Sequence, residues 1–149
     1  MASVDGYDFP ADRWYDPREH LWVLPEHPAA DDDAIINVRI GIDALGQHLL
    51  GEVVYLELLE PGPEVLRGQP IGSLEAEKMV RPLVAPVSGL VFAVNPAVRA
   101  TPRLLNSAPY DAGWLLRIRA TRWADERRDL LFGEAVTAWA RSEIEANAT

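Results

Sequence analysis

Ile71-Gly72-Ser73-Leu74-Glu75-Ala76-Glu77-Lys78-Met79-Val80-Arg81-Pro82-Leu83-Val84-Ala85-Pro86-Val87-Ser88-Gly89 contains the sole lysine of the chain. Val65 to Leu74 leads into Lys78 and Val80 to Val84 leads away, so the lysine falls where a β-hairpin turns. Thirteen arginines supply all the other fixed positive charge. A lysine amine is acylated to a stable, uncharged amide, whereas a delocalised guanidinium is a poor nucleophile that keeps its charge. The chain has therefore kept one side chain suited to carrying a covalently attached group. A turn held between two strands presents such a residue to a modifying enzyme while the backbone stays ordered. Glu75 and Glu77 stand close by; they are expected to hold the free amine charged and are candidate recognition marks for that enzyme. The plainer alternative is a solvated surface lysine in a chain that has drifted towards arginine.

Outward from the hairpin, β-type patterning continues on both sides. Leu21 to Leu24 alternates like a strand and stops at Pro25; Pro28 to Asp33 reads as a turn. Ile36, Val38 and Ile40 share one face and Asn37 and Arg39 the other, the period of a half-buried strand. Asp43 is placed to cap a short helix over 44–50 that Gly51 ends. Val53 to Leu59 is β-rich and closes at Pro61-Gly62-Pro63; Pro86 to Gly89 turns into Leu90 to Val94. Pro96 to Asn106 holds about one helical turn, and Trp114 to Arg119 alternates as a last strand. Beyond Thr121, Leu131, Ala135 and Trp139, with Phe132, Val136 and Ala140, fall at helical spacing, and Gly133 separates a short helix from a longer one. The expected organisation is an irregular N-terminal extension over 1–18 pinned by Tyr7, Phe9, Trp14 and Tyr15, a β domain over 19–120, and helices over 121–149 packed on it. This is a mainly β sandwich or barrel. Gly51 to Leu56 also resembles Gly89 to Val94, as two similar halves packed face to face would.

Composition narrows the function. With 149 residues, 48% apolar and 25% charged, the chain is long enough for one core and is not a disordered segment. It has no cysteine, which removes disulfides and protein thiolate chemistry. A formal charge of −9 argues against nucleic acid and anionic membranes as partners. Asp5 and Asp8 interrupt the first ten residues, no apolar run is long enough to cross a bilayer, and a cytoplasmic monomer is the expectation.

The pattern Gly-x-x-Glu-x-x-Lys over Gly72 to Lys78, followed by Ala85-Pro86-Val87-Ser88-Gly89, resembles the lipoyl-domain lineage, and specifically the H proteins of glycine cleavage systems. Further stretches carry the likeness in order: His20 to Val23, Val38 to Gly46, Leu50 to Leu58 with Pro61-Gly62 and Val65, and Pro109 to Leu115. The resemblance implies a barrel-sandwich hybrid of two small antiparallel sheets with short helices and a C-terminal helical segment. It implies lipoate in amide linkage on Lys78, attached by a lipoyl ligase or transferase. It also implies a non-catalytic shuttle, moving an aminomethyl group and reducing equivalents between a pyridoxal-phosphate glycine decarboxylase, an aminomethyltransferase and a dihydrolipoyl dehydrogenase. The cofactor supplies the chemistry and the protein supplies positioning. A cleft for the resting arm is expected between the Ile42 to Leu50 segment and the Leu56 to Leu59 strand. The chain departs from the family pattern at Glu77 before the lysine, at Met79 to Pro82 after it, and at Leu21 after His20.

Other readings compete. H-like lipoate-binding proteins of other pathways, such as sulfur oxidation, share the scaffold. A biotin carrier typically sandwiches its lysine between two methionines, and only Met79 is present. A degenerate interaction module would not need the lysine. An independent enzyme has little support: His20, His27 and His48 lack metal-ligand spacing, and Ser73 and Ser88 lack a nucleophile-elbow context. Asp31-Asp32-Asp33 reads as a solvated acidic turn, and the five tryptophans as packing residues.

Overall fold

Seven residues, Ile36–Ile42, form β5, the central span of the larger sheet. Val38, Ile40 and Ile42 point inward and are fully buried, as the two-residue period requires. The structure is a computed structural model describing residues 2–27 and 35–147. Strands β1 (Ala2–Val4), β2 (Tyr7–Phe9), β3 (Trp14–Asp16) and β4 (Leu21–Pro25) precede β5; helix α1 (Ala44–Leu50) follows it. Then come β6 (Val53–Leu58), β7 (Glu64–Val65), β8 (Pro70–Ala76), β9 (Val80–Val84) and β10 (Gly89–Val94). Helices α2 (Pro96–Ala100) and α3 (Leu104–Ser107) lead to β11 (Leu116–Ala120); α4 (Trp123–Glu126), a 3-10 turn Arg127–Asp129 and α5 (Glu134–Asn147) complete the chain.

The larger sheet has six antiparallel strands in the order β3-β4-β5-β11-β10-β7, and the smaller has three in the order β6-β8-β9. Their inner faces share one core: Val38, Ile40, Val91, Leu116 and Ile118 meet Leu56, Ile71, Leu74 and Leu83. This is the expected mainly β barrel-sandwich. The two similar stretches begin strands in opposite sheets, β6 in the smaller and β10 in the larger.

The N-terminal segment is not irregular. β1 and β2 form a hairpin with Ala2 opposite Phe9, turning at Asp5-Gly6 with φ of 48° and 88°. Two positive φ values are the signature of a type I′ turn, for which Asp-Gly is a preferred pair. That signal stands in the sequence, overshadowed by its proline- and aspartate-rich surroundings. The helical reading at the other end also needs adjusting. Leu131 lies outside α5 and exchanges backbone hydrogen bonds with Tyr15 at 2.8 and 2.9 Å. Val136 and Ala140 are the buried face of α5. The turn read over Pro28 to Asp33, with its acidic run, lies outside the described residues.

A second apolar cluster covers the outside of β4. Trp22 points away from the main core and packs with Val4, Phe9, Tyr15, Leu45, Val136 and Ala140. Its indole Nε1 donates to the Pro109 carbonyl at 2.9 Å, and the Arg13 guanidinium lies over the ring at 4.7 Å. The tryptophans serve packing: Trp22 and Trp123 are fully buried, and Trp14 meets Trp123 edge-on at 5.4 Å.

Candidate functional site

Strands β8 and β9 are joined at Glu77, Lys78 and Met79, all three exposed. The Ala76 amide donates to the Met79 carbonyl at 2.9 Å and closes the turn. Two further bonds fix the tip to the rest of the molecule. The Glu77 amide donates to the Glu52 carbonyl at 2.9 Å, and the Lys78 amide to the Leu50 carbonyl at 3.1 Å. Leu50 is the last residue of α1, where carbonyls lack helical partners. The hairpin tip thus caps the helix while the helix holds the tip. Asp43 begins that helix as read from the sequence, its Oδ1 accepting from the Gly46 amide at 2.7 Å.

The carboxylates flanking the lysine do not pair with it. Among the described residues the Lys78 ammonium has no hydrogen-bond or ion-pair partner, and the residue is exposed at the edge of the adjoining cleft. Glu77 turns back over Gly51, its Oε1 lying 3.5 Å from the Glu52 amide. Glu75 faces outward on β8, in register with Tyr55 on one side and Val80 on the other. Arg81, half-buried on β9, donates to the Glu19 carbonyl. Burial pushes its guanidinium below the ordinary value, opposed by Glu19, Asp43 and Asp16.

A cleft of about 670 Å³ opens beside the tip. Lys78 and Glu77 form one wall, Gln47 and His48 of α1 another, and Arg103, Leu104 and Asn106 the third. The expected lining is corrected in part. The α1 segment contributes, but Leu56 and Leu58 face the core and are buried. Their place is taken by the Thr101 to Ser107 segment. Asn95, which caps α2 through its bond to the Ala97 amide at 2.9 Å, with Pro96 in the first turn, was the available sequence signal for that segment.

Asn106 organises the cleft floor. Its Oδ1 accepts from the Val53 amide at 2.9 Å; its Nδ2 donates to the Gly51 carbonyl at 2.7 Å and to Gln47 Oε1 at 3.0 Å. Arg103 and Glu52 approach to 3.4 Å across the mouth, an exposed pair of small energetic consequence.

A buried polar cluster lies at the opposite end of α1. His20, held at φ 55°, places Nδ1 3.2 Å from Asp43 Oδ2 and Nε2 2.9 Å from Glu143 Oε1 on α5. Burial alone pushes the imidazole down, but the hydrogen bonds and charges of Asp43 and Glu143 outweigh it and raise the net value. Among the described residues no cluster of three or more histidine, cysteine or acidic side chains is placed to hold a metal ion.

Comparison with known proteins bears on this geometry. Residues 15–143 match the family model described as Glycine cleavage H-protein. A glycine cleavage system H protein of Micrococcus luteus is 45% identical over 100 residues, 67% of this chain and 73% of that protein. One from Mycobacterium avium is 42% identical over 114 residues, 76% of this chain and 80% of that protein. The crystal structure of a glycine cleavage system H protein from Mycobacterium marinum superposes with a TM-score of 0.74 at 32% identity, covering 91% of this chain and 98% of that one.

Proposed function

This chain belongs to the glycine cleavage H-protein family, and from that premise we propose that Lys78 is the residue through which it acts, as the attachment point of a lipoyl group. The protein is a lipoyl carrier of glycine cleavage and not itself an enzyme. When bound, the lipoyl group supplies the disulfide and dithiol chemistry that moves an aminomethyl group and reducing equivalents between enzymes.

The observation that carries the assignment is the tip itself: the sole lysine, exposed and without a partner among the described residues, on a turn whose amides are bonded to Leu50 and Glu52. The backbone is held and the amine is left accessible. The residues present suit the group. The cleft beside Lys78 has room for a flexible chain, and no protein thiol is present to exchange with a dithiol. Glu75 and Glu77 are the residues a lipoyl ligase or transferase would meet first. Tethering raises the effective concentration of the arm at a docked active site to the order of mM. The partners are other components of glycine cleavage: a pyridoxal-phosphate glycine decarboxylase, an aminomethyltransferase and a dihydrolipoyl dehydrogenase. Among the described residues no helix is long and apolar enough to cross a membrane. A cytoplasmic monomer is the reading that the charge of −9 and the lack of cysteine support best. Residues 19–120 are read as the carrier unit; from the segments before and after it, Val4, Phe9, Tyr15, Val136 and Ala140 join the cluster around Trp22, which supports that division.

The test is intact mass of the protein from a lipoate-competent host, with Lys78→Arg alongside. One lipoyl increment on the wild type and none on the variant is expected. Reconstituted glycine–bicarbonate exchange with a glycine decarboxylase then checks the pathway. Unmodified wild type, or an increment retained by Lys78→Arg, defeats the assignment.

A further inference from the structure

The outer face of the small sheet carries a feature that core packing does not require. Val53 pairs with Ala76 and Tyr55 with Glu75, leaving Val54 as an extra residue in β6. Such a bulge breaks the in-and-out alternation and re-aims side chains. Here it leaves two successive side chains exposed, Val54 at 60% and Tyr55 at 49%. Glu75 pairs in turn with Val80, 70% exposed on the edge strand β9, and Met79 beside it is 46% exposed. Four large apolar side chains therefore run from β6 to the residues just after Lys78. Two acids mark this surface: Glu75 in its middle, and Glu57, whose Oε1 accepts from the Tyr55 hydroxyl at 2.8 Å. Large apolar side chains left exposed together around an acid, on a protein of this charge, mark a contact site.

We infer that this face docks the enzyme that acylates Lys78, through an apolar recess bordered by lysine or arginine. The inference rests on the carrier reading and adds to it the surface that selects the modifying enzyme. Acylation brings the amine nitrogen itself to the reaction centre. The deprotonated nitrogen attacks the carbonyl carbon of an activated lipoyl donor, such as an acyl-nucleotide anhydride. The amide bond forms, the bond to the nucleotide phosphate breaks, and a proton leaves to solvent. An enzyme doing this must close on the residues that adjoin the lysine, whereas enzymes acting on the end of an attached arm stand off by its length. Met79 and Val80 lie within two residues of Lys78, inside that first contact zone. Glu57 and Glu75 supply the negative complement to a basic border, and the charge of −9 favours such a partner over a second copy of this chain.

The experiment follows ATP- and lipoate-dependent modification of unlipoylated full-length protein by a lipoate–protein ligase, read by intact mass at limiting carrier. Val80→Gln and Val54→Gln are each expected to lower kcat/KM by about tenfold or more, the range of a contact residue in an interface. Glu57→Gln and Glu75→Gln should raise KM and flatten its dependence on salt. Leu66→Gln, equally exposed but outside this face, should react like wild type. Matching thermal midpoints would confine the effect to docking. Modification of Val80→Gln and Val54→Gln at the wild-type rate overturns the inference and leaves the carrier assignment intact. So does a loss seen only when pre-lipoylated variants react with the decarboxylase. A wild type that the ligase never modifies removes both.

Discussion

The Asn106 side-chain amide donates to the carbonyl of Gly51 at 2.7 Å, joining α3 to the turn that supports the lysine hairpin. The same side chain accepts from Val53, so one residue fixes the end of α1 and the start of β6. Asn106→Asp keeps the acceptor and turns the donor into a second oxygen facing a carbonyl. A loss of about 1 kcal/mol in unfolding free energy is expected, the low end for a polar group left without its partner, because Asn106 is only half-buried. Denaturant unfolding of wild type and variant measures it.

Gly51 ends α1 at φ 77° and ψ −162°, a region essentially closed to other residues. A Cβ there would also lie 2.5 Å from Glu77 Oε1. The second conflict is with the end of a flexible side chain; the first is with the backbone. Gly51→Ala should therefore cost about 1–3 kcal/mol, and adding Glu77→Ala should recover little of it. Full recovery in the double variant would place the strain in the side chain instead.

Gly41 is the seat of Trp22. The two are paired across β4 and β5, and a Cβ on Gly41 would fall 2.4 Å from Trp22 Cζ2. The ring is fully buried and held by its bond to Pro109, so it has nowhere to move. Gly41→Ala should destabilise by about 1–3 kcal/mol, as overpacking does. Combined with Trp22→Phe, which removes the atoms in conflict, the cost should be less than the sum of the single changes. A double-mutant cycle reads that coupling directly.

His20 gives the fold a pH dependence. Its folded-state value is raised above the ordinary one of about 6.5, so the native state holds the proton more tightly than the unfolded chain. The stabilisation is complete below about pH 6.5 and is lost as pH rises through the higher folded value. Unfolding free energy should fall over that window in wild type. The fall should flatten in His20→Gln and shrink in Glu143→Gln, where Asp43 remains. A pH slope unchanged in both variants would dismiss the imidazole as its source.

The sequence was most legible where structure is local. Asp43, the span of α1 and Gly51 are read from a capping residue, a short apolar period and a glycine; the hairpin around Lys78 is read from two β-prone runs and their turn. What it hid depends on partners far apart in the chain. The contact of His20 with Glu143 spans 123 positions, and that of Asn106 with Gly51 spans 55. No periodicity encodes such pairs. The bulge at Val54 was hidden for another reason: Val53, Val54 and Tyr55 are all strand formers, so only the register shows which one is extra.

The cluster that joins Val4, Phe9 and Tyr15 to Val136 and Ala140 works as a seam between the early and late parts of the chain. Cutting the backbone at Gly133, which precedes α5, would release one lip of that seam and wet the face of Trp22, yet it would leave the strands on either side of Lys78 bonded as before. The hairpin's own ladder would survive such a nick, but α1, which packs in the seam through Leu45 and takes the Lys78 amide on its Leu50 carbonyl, would lose cover on the side away from the tip.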